Sequence, residues 1–312
     1  MQWPTENWPV STPEEQGIDS RSLRAMFTYV RDGNFGINSM LIVRNGFLVA
    51  EGYYAPFQSD NTQHLFSATK SVISILVGMA IQDGYIRDVD QSVLDFFPEI
   101  TPATLDERKR QMTIAHLLTM TSGLDWQEMA PYNGDSMAQM IASPNWVEFV
   151  LAQPMAHVPG EVFCYNSGVS HLLSALLQRA TGVSTLAYAQ GRLFKPLEIS
   201  DLAWRVDPQG VNIGGWGLSL TTRDMAKLGY LYLRQGLWDG AQLVPVDWVE
   251  LSTTWQATGT WPVEGWGYGY QWWLIPDLPY KVFEARGLLG QHVMVIPDLN
   301  LVVVFTSRAE NR

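Results

Sequence analysis

The sequence predicts an α+β fold: an antiparallel sheet built from both chain ends and flanked by helices, with a mostly helical region inserted between them. Three observations carry this reading. Near the start, the β-rich runs 40–43 and 47–50 flank Arg44-Asn45-Gly46, and Asn-Gly between apolar runs is a strong hairpin signal. At the end, runs 292–296 and 301–305 are joined by the turn-like Pro297-Asp298-Leu299-Asn300. Between them, apolar residues recur at helical rather than strand spacing.

The elements follow in chain order. Residues 72–81 are apolar at nearly every position and end near Gly84, as a buried helix with a glycine cap would. Residues 169–180 place Leu172, Leu173, Leu176 and Leu177 on one face and close at Gly182. Residues 224–235 follow the candidate caps Thr221 and Thr222 and close at Gly236. Residues 268–273 and 280–284 read as two further strands. The expected division is 1–66 plus 262–312 for the sheet region and 67–261 for the inserted region, in one two-lobed unit. A cleft between two lobes is a favoured place for a ligand.

Composition narrows the function. The 312 residues are 46% apolar and 16% charged, which describes a globular chain with ample core. A net charge of −11 disfavours nucleic acid and anionic membrane as partners and leaves a small-molecule substrate. Cys164 is the one cysteine, so no internal disulfide is available. The opening residues lack a basic then apolar leader pattern, and no apolar run reaches the roughly 20 residues a bilayer requires. A cytoplasmic protein is expected. His64, His116, His157, His171 and His292 have no metal-ligand spacing, and no phosphate loop or Gly-x-Ser-x-Gly elbow occurs. Neither metal nor cofactor is expected.

Ser67-Ala68-Thr69-Lys70 runs directly into the first apolar helix. Residues three apart share a helix face, so Lys70 comes back beside Ser67. Burial disfavours the charged ammonium, and a neutral amine can take the serine proton. That would activate a serine without histidine. The alternative is that Ser67 caps the helix while Lys70 snorkels to solvent. A second constellation, Tyr165-Asn166-Ser167, opens the 169–180 helix. If the two helix starts face each other, Tyr165 could share a proton with Lys70, the lysine cation favouring phenolate. Otherwise Ser167 is an N-cap and Tyr165 ordinary core.

Taken together, these two motifs resemble those of the penicillin-recognising serine hydrolases, the superfamily of class C β-lactamases, D-alanyl-D-alanine carboxypeptidases and related esterases. Ser67-Ala68-Thr69-Lys70 matches the first motif, and Tyr165-Asn166-Ser167 matches the second in its Tyr-x-Ser form. The stretches 11–17, 116–124 and 214–219 are also similar to the family, so the resemblance covers nearly the whole chain. It implies a β-lactamase-like fold with Ser67 as nucleophile, Lys70 and Tyr165 as proton-transfer partners, and Ser167 as an auxiliary hydroxyl. The Ser67 and Leu288 amides would form the oxyanion hole, which needs only backbone.

The third motif departs from the pattern. Where the family has Lys-Thr-Gly, this chain has Ala285-Arg286-Gly287. The missing lysine removes a group that grips the substrate carboxylate in the β-lactam enzymes. Arg286 supplies a charge, but neighbouring strand positions point to opposite faces. Gly287, Arg286 and Trp216 are candidate substrate contacts. Nine of the thirteen tryptophans lie between Trp204 and Trp273, either lining an apolar pocket or filling core. The motifs are most similar to the nylon-oligomer hydrolase and esterase branch. The expected activity is hydrolysis of an ester or amide of a small acyl substrate. A β-lactamase or D-amino-acid peptidase, and a catalytically silent ligand-binding relative, are the alternatives.

Overall fold

In the computed structural model, which describes residues 3–100, 104–129, 134–260 and 262–308, strands from both chain ends meet in one sheet. Its eight strands run in the order Phe47–Tyr53, Ile37–Arg44, Leu301–Ser307, Gln291–Ile296, Phe283–Gly287, Trp273–Leu274, Gly267–Tyr268 and Ala257–Thr258. All neighbours are antiparallel, and Leu41 pairs with Val304 where the two chain ends join. The expected hairpin at 44–46 is present, with Asn45 and Gly46 both at positive φ (53° and 85°). Two such residues in sequence give the turn whose twist matches the flanking strands. Asn300, at φ 49°, does the corresponding work after the short 3-10 turn Pro297–Leu299.

The run 268–273 is not one strand. Tyr268 and Trp273 pair with each other across a turn, so the segment doubles back on itself. Gln271 sits at that turn with φ 62°, and its buried side chain makes the reversal stick. It accepts from Ser170 Oγ at 2.7 Å and donates to the Leu117 and Leu118 carbonyls. The strand expected at 280–284 lies further along, at Phe283–Gly287.

Helix Thr222–Leu233 packs its buried face on the sheet from the inner side, capped by Thr221 as expected. Two buried helices, Thr69–Gln82 and Ser167–Thr181, pack against each other, and helices Ile114–Leu118, Ser136–Ala142, Trp146–Leu151 and Thr185–Ala189 pack on the second. The first is buried from Thr69 to Ala80 and closes with Gly84 at φ 78°, its N–H on Ile81 O. Also present is a small three-stranded sheet, Gln63–His64, Leu218–Leu220 and Leu202–Trp204. Such two- and three-residue strands give no periodic signal in a sequence. Among the described residues, no helix is long and apolar enough to cross a membrane.

Candidate active site

Ser67 lies in the 3-10 turn Phe66–Ala68, which feeds directly into helix Thr69–Gln82. Phe66, immediately before it, has φ 48°, a left-handed conformation uncommon for a bulky side chain. Ser67 does not cap the helix: the N-cap residue is Ala68, with no side-chain bond. Nor does Lys70 snorkel to solvent, being only 1% exposed.

Lys70 Nζ lies 3.0 Å from Ser67 Oγ, 2.9 Å from Ser167 Oγ and 2.8 Å from Gly215 O. Three acceptors for three N–H groups is what a buried ammonium requires. Burial nevertheless disfavours the cation and lowers the Lys70 pKa to about 8, partly offset by the negative charge of Glu128. At neutral pH a useful fraction is therefore free amine. Lys109, also buried and lowered to about 8 by burial, gives a contrast. It is caged by Thr104 Oγ1 and the Leu151 and Gln153 carbonyls, and the Thr104 hydroxyl spends its own proton on the Ala152 carbonyl at 2.8 Å. A lowered pKa does not make a site without the serine.

Tyr165 is buried beside this pair, its ring centroid 4.8 Å from Lys70 Nζ and its ring stacked on Trp273. Its hydroxyl hydrogen-bonds Ser67. The condition for a phenolate, a neighbouring lysine cation strong enough to favour it, is not met. Burial, with Glu128 adding to it, raises the Tyr165 pKa above the normal phenol value, while Ser67 and Arg286 only partly oppose this. The phenol stays protonated and can donate a proton.

Ser167 is the first residue of its helix, not the cap. Asn166 is the cap, its Oδ1 accepting from Val169 N at 3.0 Å. That leaves the Ser167 hydroxyl free to meet Lys70. Gly215 reaches the same amine because residues 214 and 215 have no side chains. A Cβ on Gly214 would stand 2.1 Å from Ser170 O, and one on Gly215 2.7 Å from Ser167 O.

The Leu288 amide follows Gly287, whose strand closes on the nucleophile turn. A Cβ on Gly287 would stand 2.1 Å from Leu65 O, two residues before Ser67. Ala285, at the position of the missing lysine, is buried. Arg286, on the strand face opposite Ala285, pairs with the buried Glu284 at 3.2 Å, lies over Trp266 and still borders the cavity that holds Ser67. Glu284 also holds His292 Nδ1 at 3.0 Å.

Ser67, Tyr165, Ser167, Trp216, Arg286, Gly287 and Leu288 all line one cavity of about 650 Å³. Met129, Met137, Ile141 and Trp273 contribute apolar wall. Of the nine clustered tryptophans, only Trp216 and Trp273 line it among the described residues, and Trp261 lies outside them. Trp204, Trp238, Trp248 and Trp272 are core.

Sequence reasoning missed Glu128, which lines the cavity too. Its carboxylate accepts from Ser167 N at 2.6 Å, from Ser167 Oγ and from Trp126 Nε1 at 2.9 Å. An acidic residue in a loop 39 positions before its partner carries no local signal. The carbonyl of Gly215, 145 residues from Lys70, carries no local signal either, although residues 214–219 are similar to the family.

The arrangement can take a proton from a serine and donate one from a phenol beside an apolar-walled opening. A model of the family described as Beta-lactamase matches residues 28–312. The chain is 26% identical to 6-aminohexanoate-dimer hydrolase of Paenarthrobacter ureafaciens over 286 residues, covering 86% of this chain and 71% of that one. It is 28% identical to lovastatin esterase of Penicillium rubens over 210 residues, covering 62% and 51%. A penicillin-binding protein homologue from Caulobacter crescentus shares the fold with a TM-score of 0.74 at 17% identity, over 92% of this chain and 91% of that one. With the family match spanning nine-tenths of the sequence, the chain belongs to the beta-lactamase family and is a serine hydrolase of the penicillin-recognising superfamily.

Proposed function

We propose that the protein hydrolyses an ester or amide bond of a small acyl substrate through an acyl-enzyme on Ser67. One observation carries the reading: a buried amine, lowered to about 8, stands 3.0 Å from a serine hydroxyl that opens onto an apolar-walled cavity. Neutral Lys70 takes the Ser67 proton as Oγ attacks the carbonyl carbon. The Ser67 and Leu288 amides hold the resulting oxyanion. Tyr165 gives its proton to the leaving oxygen or nitrogen and regains one from the Lys70 ammonium, so the proton count closes. Water then attacks the acyl-enzyme by the same route in reverse.

The substrate class rests on what lines the cavity. Ala285 offers no charge, and the Arg286 guanidinium is already engaged by Glu284, so a β-lactam carboxylate finds no lysine grip. Trp216, Met137 and Ile141 suit an aliphatic acyl chain instead. The named activities of the two curated relatives, an amide hydrolase and an esterase, agree with this choice. The partner is a small molecule rather than nucleic acid or membrane, in keeping with the net charge of −11. We place the protein in the cytoplasm, where Cys164 would stay reduced.

A panel of p-nitrophenyl esters of two to eight carbons, 6-aminohexanoate dimer and nitrocefin tests the proposal. The expected result is highest kcat/KM on a short or medium ester, measurable amide cleavage and weak nitrocefin turnover. Nitrocefin as the best substrate, or no turnover of any member, would overturn it.

A further inference from the structure

We propose that Glu128 is a positioning residue that fixes the direction of the Ser167 hydroxyl and thereby aims the Lys70 lone pair at Ser67. This rests on the reading of Lys70 as the base. The argument is a count of donors and acceptors. A carboxylate only accepts, so the Ser167 hydroxyl must spend its proton on Glu128 Oε1. Ser167 Oγ then faces Lys70 Nζ, 2.9 Å away, as an acceptor. The Gly215 carbonyl, at 2.8 Å, is also an acceptor and nothing else.

The ammonium form of Lys70 satisfies all three partners with three N–H groups. The neutral amine has two. Both are claimed by the acceptors that cannot donate, Ser167 Oγ and Gly215 O. The lone pair falls to the remaining partner, Ser67 Oγ at 3.0 Å, which has a proton to give. Without a fixed Ser167, two hydroxyls compete for that lone pair and the base is wasted on the wrong one. The Ser167 N–H and the Trp126 ring N–H hold the other carboxylate oxygen, so Glu128 cannot rotate out of register.

Glu128→Gln discriminates this wiring from simple support. The Gln carbonyl oxygen would keep the Ser167 N–H and Trp126 N–H, placing the amide NH2 against Ser167 Oγ. Ser167 must then turn its proton toward Lys70. The groups facing Lys70 are Ser67, Ser167, Tyr165 and Glu128, with Arg286 near Tyr165, so Glu128 is the sole carboxylate among them. Its loss also removes the charge that favours the ammonium.

The expected result with a p-nitrophenyl ester is a kcat lowered roughly ten-fold or more, KM within two-fold, and the acid limb of the pH profile moved to lower pH. In a Ser167→Ala background, Glu128→Gln should change kcat by less than about two-fold, because the hydroxyl it steers is gone. If Glu128→Gln does not fold, Glu128→Asp carries the test. It keeps the charge but withdraws from Ser167, so kcat falls while the acid limb stays in place. Three outcomes overturn the proposal: kcat within two-fold and an unmoved limb, effects of the two substitutions that multiply, or a change confined to KM. Ser67→Ala run alongside separates the levels. Residual turnover there removes both readings, whereas an inactive Ser67→Ala with an indifferent Glu128→Gln removes the wiring alone.

Discussion

Lys70→Met is expected to lower kcat/KM by about 10²–10⁴, the contribution of a general base, while the protein still folds. The methionine fills most of the same volume in a site that is almost fully buried, and it removes an amine whose charged form burial disfavours. What it leaves behind is Ser167 Oγ and Gly215 O without a donor, which costs stability but creates no buried charge. The wild-type pH profile should show the matching signature. Lys70 acts as base only when neutral, and its pKa is lowered to about 8. Activity on the free enzyme therefore rises about ten-fold per pH unit below 8 and levels off above it. Tyr165 adds no limb in this range, because burial pushes its titration upward. A Lys70→Met rate within ten-fold of wild type, or a wild-type profile flat from pH 6 to 9, would contradict the assignment.

Gly287→Ala is the second large effect. The backbone there does not need glycine for its dihedral angles; it needs glycine for space. An added Cβ would meet Leu65 O at 2.1 Å and Gln291 Cβ at 3.0 Å. Neither neighbour can yield cheaply: one is the backbone of the turn that carries Ser67, the other belongs to the paired strand. The strand end and the nucleophile turn must part, and with them the Leu288 and Ser67 amides proposed as the oxyanion hole. Loss of one such donor costs about 10²–10³ in kcat. Steady-state kinetics should show that loss chiefly in kcat, with a thermal midpoint lowered by only a few degrees. A kcat within three-fold of wild type would mean that the two amides do not act together on the oxyanion.

The parts of the site that were legible in the sequence are those fixed by local spacing. Ser67 and Lys70 meet because residues three apart on a helix must. The Asn45-Gly46 turn and the Gly182 and Gly84 closures were legible because few residues adopt those backbone angles. Tyr165 and Ser167 open a helix whose apolar face was plain, but their meeting with Lys70 depends on how two helices pack. Glu128 and the Gly215 carbonyl had no local signal. They reach Ser167 and Lys70 across 39 and 145 residues through the path of loops, which no periodicity encodes. The break at Gln271 was hidden by its neighbours, since Tyr268, Tyr270, Trp272 and Trp273 all favour strand while one buried amide side chain forces the turn. The cap could not be chosen from the sequence, since Asn and Ser are both good caps, and the choice of Asn166 over Ser167 is what frees the serine hydroxyl.

The central claim is a covalent acyl-enzyme on Ser67 made possible by a neutral lysine. Intact mass and peptide mapping after treatment with a fluorophosphonate test it most directly. The account predicts one adduct per chain on Ser67, forming faster as pH rises through about 8 and absent from Ser67→Ala. An adduct on another residue, or labelling that survives Ser67→Ala, would contradict it.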